Sequence, residues 1–206
     1  AKMEGSLFDA YQILRRQNPS PYMFYFSSDD IEIAGASPET LVKLTDGKLF
    51  TYPLAGTRPR GKTPAEDAAL EAGLLQDKKE LSEHNMLVDL GRNDLGRMAE
   101  KGTVKVEKFM AVERFSHVMH IVSNVVGELD PTKDFVDALA AGFPAGTVSG
   151  APKVRAMEIL AEEEPLPRGP YAGCIGWLGL DKNGVHMDSG ITICSMWVKD
   201  GRIHWQ

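Results

Sequence analysis

Asp46-Gly47 constrains the fold more than any other part of this chain. It stands between Thr40 to Leu44 and Lys48 to Tyr52, two short runs rich in apolar residues. The type I′ two-residue hairpin turn needs positive φ at both central positions, which Asp and Gly supply, so the flanking runs are expected to pair as antiparallel strands. Asn183-Gly184 repeats the signal between Cys174 to Leu180 and Val185 to Val198, and Lys199-Asp200-Gly201 turns the chain a third time. Tyr22 to Ser27 returns through Asp29-Asp30 as Ile31 to Ala36, and Thr103 to Val112 is followed by His117 to Glu128. The strands come as hairpins with helices between the blocks. This predicts an α+β chain, mostly antiparallel sheet with outer helices. A length of 206 residues fits a single domain over 1–206.

Helices are expected at Glu4 to Arg16, Phe135 to Ala141, and from Ser149 or Gly150, as cap, to Glu163 with Pro152 in its first turn. Thr63-Pro64-Ala65-Glu66 reads as an N-cap, a first-turn proline and a capping box, opening a helix to about Gln76. The next helix holds the densest chemistry, Lys79 to Asp94, with Gly102 ending the helical region. Leu81, Met86, Val88 and Leu90 give it an apolar face. Glu80 and Glu83 are neighbours at i, i+3, and like charges there repel by roughly 0.2–0.5 kcal/mol. A bound cation turns that repulsion into attraction, whereas a solvated acidic face leaves it in place. In the strand after Ser116, Val118, His120, Val122, Asn124 and Val126 share one face. Tyr52 to Gly61 reads as a loop, in which Gly56 admits close backbone approach, Thr57 offers a hydroxyl, and Arg58 and Arg60 suit carboxylates.

The apolar fraction of 43% and charged fraction of 25% are those of an ordinary globule. A net charge of −6 argues against a nucleic-acid partner. Cys174 and Cys194 form neither a metal-ligand spacing nor a disulfide framework, which suits a reducing cytoplasm. No leader and no long apolar run is legible, so no membrane role is expected. Ala1-Lys2-Met3 at one end, and a strand cut at Arg202 to Gln206 at the other, predict a piece of a longer protein.

Lys79-Glu80-Leu81-Ser82-Glu83-His84-Asn85-Met86-Leu87-Val88-Asp89-Leu90-Gly91-Arg92-Asn93-Asp94 closely resembles the metal-binding helix of the chorismate-utilising enzymes. More narrowly it is similar to that of component I, the aminase subunit, of the anthranilate synthases. The likeness runs from about Asn18 to the end, through several motifs in the family's order. It implies the chorismate-binding fold, here incomplete, and conversion of chorismate and ammonia to anthranilate and pyruvate. The ammonia would come from glutamine through a separate amidotransferase subunit. Mg²⁺ would be held by Glu83, with Glu80 close by or through water. The segment Phe115 to Ser123 is similar to the family strand whose second histidine, here His120, contacts the departing ring oxygen; His120 and Glu80 are the implied catalytic residues. Gly56 and Thr57, Thr147 within Gly146 to Lys153, and Tyr171 are the implied substrate contacts. Asn18-Pro19-Ser20-Pro21-Tyr22-Met23 resembles a site of feedback inhibition by tryptophan, which assigns Asn18, Pro21, Tyr22 and Met23 to that role.

Two departures follow. Where the family carries an arginine for a substrate carboxylate, the strand here reads Ile191-Thr192-Ile193-Cys194-Ser195. A thiol does not replace a guanidinium, and losing such a contact costs about 1.5–3 kcal/mol. The family's second glutamate pair, which completes the Mg²⁺ site, has no counterpart in this chain, so the chain by itself is expected to be inactive. Sister activities are the alternative: aminodeoxychorismate, isochorismate or salicylate synthase, or a folded piece without catalysis. Ala55 argues against the first, which typically carries a nucleophilic lysine there.

Overall fold

A computed structural model describes residues 2, 4–182 and 184–205. In chain order the elements are α1 (Leu7–Gln17), β1 (Tyr22–Ser27), β2 (Glu32–Ser37), β3 (Thr40–Thr45), β4 (Lys48–Thr51) and β5 (Leu54–Pro59). Then come α2 (Pro64–Leu74), α3 (Lys78–Gly96), β6 (Lys105–Arg114), β7 (Val118–Glu128), α4 (Phe135–Gly142), α5 (Gly146–Ser149) and α6 (Lys153–Glu163). The last are β8 (Cys174–Asp181), β9 (Gly184–Ile191), β10 (Ser195–Lys199) and β11 (Arg202–Trp205). The α+β, antiparallel class expected from the turns is the class observed.

The chain groups into two compact units. One comprises Val42–Gly142 and Leu180–His186, the other Ala1–Leu41, Phe143–Gly179 and Met187–Gln206. In the first unit the strands run β5-β7-β4-β3, with β6 also paired to β7, all antiparallel. Asp46 and Gly47 turn β3 into β4 at φ 51° and 75°, the positive pair that the sequence signal requires. Helices α2 and α3 pack against β5, and α3 also against β7. On one face of β7 Val122 and Val126 are buried, while Val118, His120 and Asn124 are half-buried; on the other Met119, Ile121, Ser123 and Val125 are all fully buried. Leu74, Met119 and Ile121 form a core cluster on this face.

Four expectations are corrected. The Tyr52 to Gly61 stretch is mostly a strand, β5, not a loop; its breakers sit at the strand's edge, as Pro59 does, or in a bulge, as Gly56 does. The buried stripe of α3 is His84, Leu87, Val88, Gly91 and Leu95, whereas Met86 is 51% exposed. That helix ends at Gly96, capped by Arg97, before Gly102 is reached. Ser149 closes α5, its hydroxyl donating to the Ala145 carbonyl, so α6 starts instead from the extended Pro152.

Helix α2 starts as expected from Thr63, whose hydroxyl accepts from Glu66 N–H at 3.2 Å. The Glu66 carboxylate reaches Lys62 N–H at 2.8 Å, one residue ahead of the usual box. Behind it, Arg60 clasps Asp67 with Nε at 3.0 Å from Oδ1 and Nη2 at 2.8 Å from Oδ2. Arg60 and the Gly61 N–H hold the Asp67 carboxyl down at about 2, below its usual 3.8. The stability this pair contributes is therefore complete above about pH 4 and is lost as pH falls toward about 2. Asp67→Asn is expected to lower the melting temperature at pH 7 and to flatten its decline between pH 4 and 2; an unchanged decline on acid titration refutes the assignment.

In the second unit β1-β2-β10-β11 form an antiparallel sheet, with α1 packed on β2. Ser6 caps α1 by accepting from Asp9 N–H. Asp200 and Gly201, at φ 50° and 69°, make the third expected turn. Asn183, half of the other hairpin signal, lies outside the described residues; Gly184 beside it takes φ 124°.

Candidate active site

The β5 bulge builds the centre of the site. Gly56 takes φ 72°, and the register with β7 shifts between Ala55 and Thr57. A Cβ on Gly56 would stand 3.1 Å from Leu74 Cδ1, 3.3 Å from Ile121 Cδ1 and 3.4 Å from Glu80 Oε2. Neither the backbone conformation nor the space admits a side chain. The bulge turns two groups toward His120 on β7: the Thr57 hydroxyl, 3.0 Å from Nδ1, and the Gly56 carbonyl, 3.3 Å from it. A carbonyl only accepts, so the Gly56 contact favours the tautomer with the hydrogen on Nδ1 and a lone pair on Nε2. Burial lowers the His120 pKa, opposed in part by the Gly56 bond. The Phe115 ring lies 5.5 Å from the imidazole.

The start of α3 brings in the carboxylates. Asp77 caps the helix, accepting from Lys79 N–H at 3.0 Å and Glu80 N–H at 3.3 Å. These bonds and Arg58 Nη2, 2.8 Å from Oδ2, hold its carboxyl below the usual range. Arg58 Nη1 lies 3.8 Å from Glu80 Oε1. Glu80 is in line with His84, Leu87 and Gly91 at i+4, i+7 and i+11, so it extends the buried stripe toward Gly56. Glu83 falls outside that line and is exposed. Among the described residues no cluster of three metal-ligating side chains exists. Two carboxylates within one helical turn, both hard oxygen donors, suit Mg²⁺, which binds through one or two carboxylates and keeps waters and substrate oxygens as its other ligands. Arg58 and Arg60 are both committed to internal carboxylates, contrary to their expected use on a ligand.

Gly56, Thr57, His120 and Glu80 thus lie together in one unit, with Glu83 beside them on α3. Thr147 and Tyr171 belong to the other unit. The Thr147 side chain is hydrogen-bonded to Glu39, whose carboxyl is pushed up by burial. Tyr171 carries the Arg168 guanidinium 5.7 Å from its ring centre and lines a cavity of about 500 Å³ with Phe143, Ser149, Leu160 and Arg168. Glu39 was not singled out in the sequence; a lone glutamate after Pro38 carries no local signal. Cys194 takes φ 50°, and burial, with Glu39 nearby, raises its thiol pKa. Of the residues matched to a tryptophan site, Asn18 caps α1, and Pro21 precedes β1, where Met23 pairs with Ala36. The Tyr22 hydroxyl lies 2.7 Å from both Thr40 Oγ1 and Asp188 Oδ1.

Comparisons with known proteins agree on one group. The sequence profile described as chorismate binding enzyme matches residues 1–206. Anthranilate synthase component 1 of Methanothermobacter thermautotrophicus is 55% identical over 195 residues, 95% of this chain and 41% of that protein. The Aquifex aeolicus protein of the same name is 53% identical over 205 residues, 100% of this chain and 41% of its own. In three dimensions, anthranilate synthase component I of Streptococcus pneumoniae superposes with a TM-score of 0.88 at 48% identity, covering 98% of this chain and 44% of that one. The menaquinone-specific isochorismate synthase of Escherichia coli gives 0.75 at 26% identity, covering 88% and 41%. The chain spans about two fifths of the length of these relatives.

Proposed function

Because the chain belongs to the family of chorismate binding enzymes, we propose that it is part of an anthranilate synthase aminase subunit. The full-length protein converts chorismate and ammonia to anthranilate, pyruvate and water in tryptophan biosynthesis. One observation carries the reading at the site: His120, fixed through Nδ1 by Gly56 and Thr57, stands on the strand next to the bulge that Glu80 approaches. With Nδ1–H held, Nε2 is the ring position free to exchange a proton with substrate. Protonated there, His120 gives its proton to the departing ring hydroxyl, which leaves as water. Ala55 is 7% exposed and has no amine, so ammonia attacks the ring directly. Loss of pyruvate then makes the ring aromatic. Glu83 and Glu80 would hold Mg²⁺, which supplies charge neutralisation and orientation of the substrate carboxylate. Thr147 and Tyr171 bind substrate in this scheme.

A glutamine amidotransferase subunit would deliver the ammonia, and tryptophan would inhibit through Asn18, Pro21, Tyr22 and Met23. The cytoplasm suits these substrates; no described helix is long and apolar enough to cross a membrane. The test is anthranilate fluorescence with chorismate, Mg²⁺ and excess ammonium, which bypasses the amidotransferase. The full-length protein is expected to give signal and the 206-residue chain none. Isochorismate instead of anthranilate from the full-length protein would overturn the reading.

A further inference from the structure

Ser123 is a junction beneath the site. Its side chain is fully buried in β7, and it bonds to three segments. The hydroxyl oxygen lies 2.6 Å from His84 Nε2 on α3 and accepts from Met110 N–H of β6 at 3.0 Å. Its backbone N–H donates to the Pro53 carbonyl at 3.0 Å, immediately ahead of β5. Met110 takes φ 51° where the β6 register shifts between Lys108 and Ala111, a bulge that aims its N–H at the hydroxyl. His84 is fully buried too, one helical turn after Glu80 and adjacent to Glu83. Its Nδ1 has no hydrogen-bond partner among the described residues.

A buried imidazole bonded at one nitrogen is a poor way to fill a core, because the unpaired nitrogen carries its full desolvation cost. Leucine would pack the same stripe without that cost. What leucine lacks is direction. A short bond between helix and strand fixes how far α3 slides and rotates against β7. Glu80 is one turn from that bond on the helix, and His120 is three residues from it on the strand. The same serine anchors the backbone that leads into the Gly56 bulge.

We propose that the His84–Ser123 pair is a positioning contact that sets Glu80 and Glu83 relative to Gly56 and His120, for the reaction proposed above, on which this inference rests. The test uses Ser123→Ala, Ser123→Thr and His84→Leu in the full-length protein. A misplacement near 1 Å costs about 10²-fold, so Ser123→Ala and His84→Leu should each lower kcat by roughly 10- to 100-fold with KM for chorismate nearly constant. The double variant should be no worse than either single one, since both break the same bond. Ser123→Thr, which keeps the hydroxyl, should recover most of the loss. Each single variant leaves a buried polar group short of a partner, so turnover compared well below the melting transition separates lost positioning from lost folding. A lower melting temperature with unchanged kcat would assign the pair to stability alone and overturn the proposal. Crystal structures of wild type and Ser123→Ala supply a readout independent of activity: the Glu80 carboxylate is expected to shift relative to Gly56, and an unmoved Glu80 overturns the proposal. If the wild type makes no anthranilate, the functional reading falls and the position of Glu80 alone decides this one.

Discussion

His120→Ala in the full-length protein is expected to lower kcat by roughly 10²–10⁴-fold, the usual worth of a positioned proton donor. The fold should survive, because His120 is itself only half-buried and the core cluster is made by Leu74, Met119 and Ile121. His120→Asn keeps a donor toward Gly56 but offers no titrating group, so it should be nearly as slow. The pH profile sharpens the assignment. Burial lowers the His120 pKa, and the acid form is the one that donates. For the free enzyme, kcat/KM at constant free ammonia should therefore fall as pH rises through a value below the ordinary imidazole pKa of about 6.5. In the substrate complex the carboxylates of chorismate favour the imidazolium, so the same limb in kcat should lie higher. Wild-type turnover in His120→Ala would remove the histidine from the mechanism.

Leu74→Ala should produce the largest loss of stability, about 2–5 kcal/mol for a fully buried leucine whose cavity refills poorly. Leu74 is 0% exposed at the end of α2 and packs with Met119 and Ile121, which are equally buried. Two rigid elements, the sheet and α2, bound that cluster, so collapse into the gap is limited. Leu74 also forms the floor under Gly56, where its Cδ1 would touch any added Cβ. Urea unfolding at constant m-value measures the loss, and Leu74→Met, nearly equal in volume, should cost less than about 1.5 kcal/mol. Equal midpoints for the alanine and methionine variants would mean that this cluster does not support the unit.

The turns were the most legible part of the chain. Asp46-Gly47 and Asp200-Gly201 adopt the positive φ pairs that their composition demands, and Thr63 caps α2 as its spacing requires. The two faces of β7 were legible as sets of residues, but not which is buried: Met119, Ile121, Ser123 and Val125 are fully buried, and Val122 and Val126 on the His120 face are buried as well. β5 was hidden for a physical reason. Pro53, Gly56 and Pro59 are strand breakers by composition, yet the bulge uses Gly56 and the strand ends on Pro59. The α3 stripe was misjudged because hydrophobicity marks Met86 and Leu90, while the helix buries His84 and Gly91. The histidine fits because Ser123 receives it; the glycine fits because Thr51 leaves a Cβ only 3.0 Å. Both causes are tertiary and leave no trace in the local pattern. Arg58 and Arg60 looked available for a ligand, and only the fold reveals Asp77 and Asp67 as their partners.

The contrast on β7 between fully enclosed positions and a few part-exposed ones bears on how such a strand can change over generations. Met119, Ile121 and Val125 tolerate little, since each is fully enclosed. His120 and Asn124, between the buried Val122 and Val126 on the other side, are themselves only half-buried, so a new side chain at these two positions meets less crowding. A duplicated copy of this chain can therefore explore different proton chemistry at positions 120 and 124 while inheriting an unchanged core. Randomising those two sites should yield mostly folded proteins, and randomising 119 and 121 mostly unfolded ones.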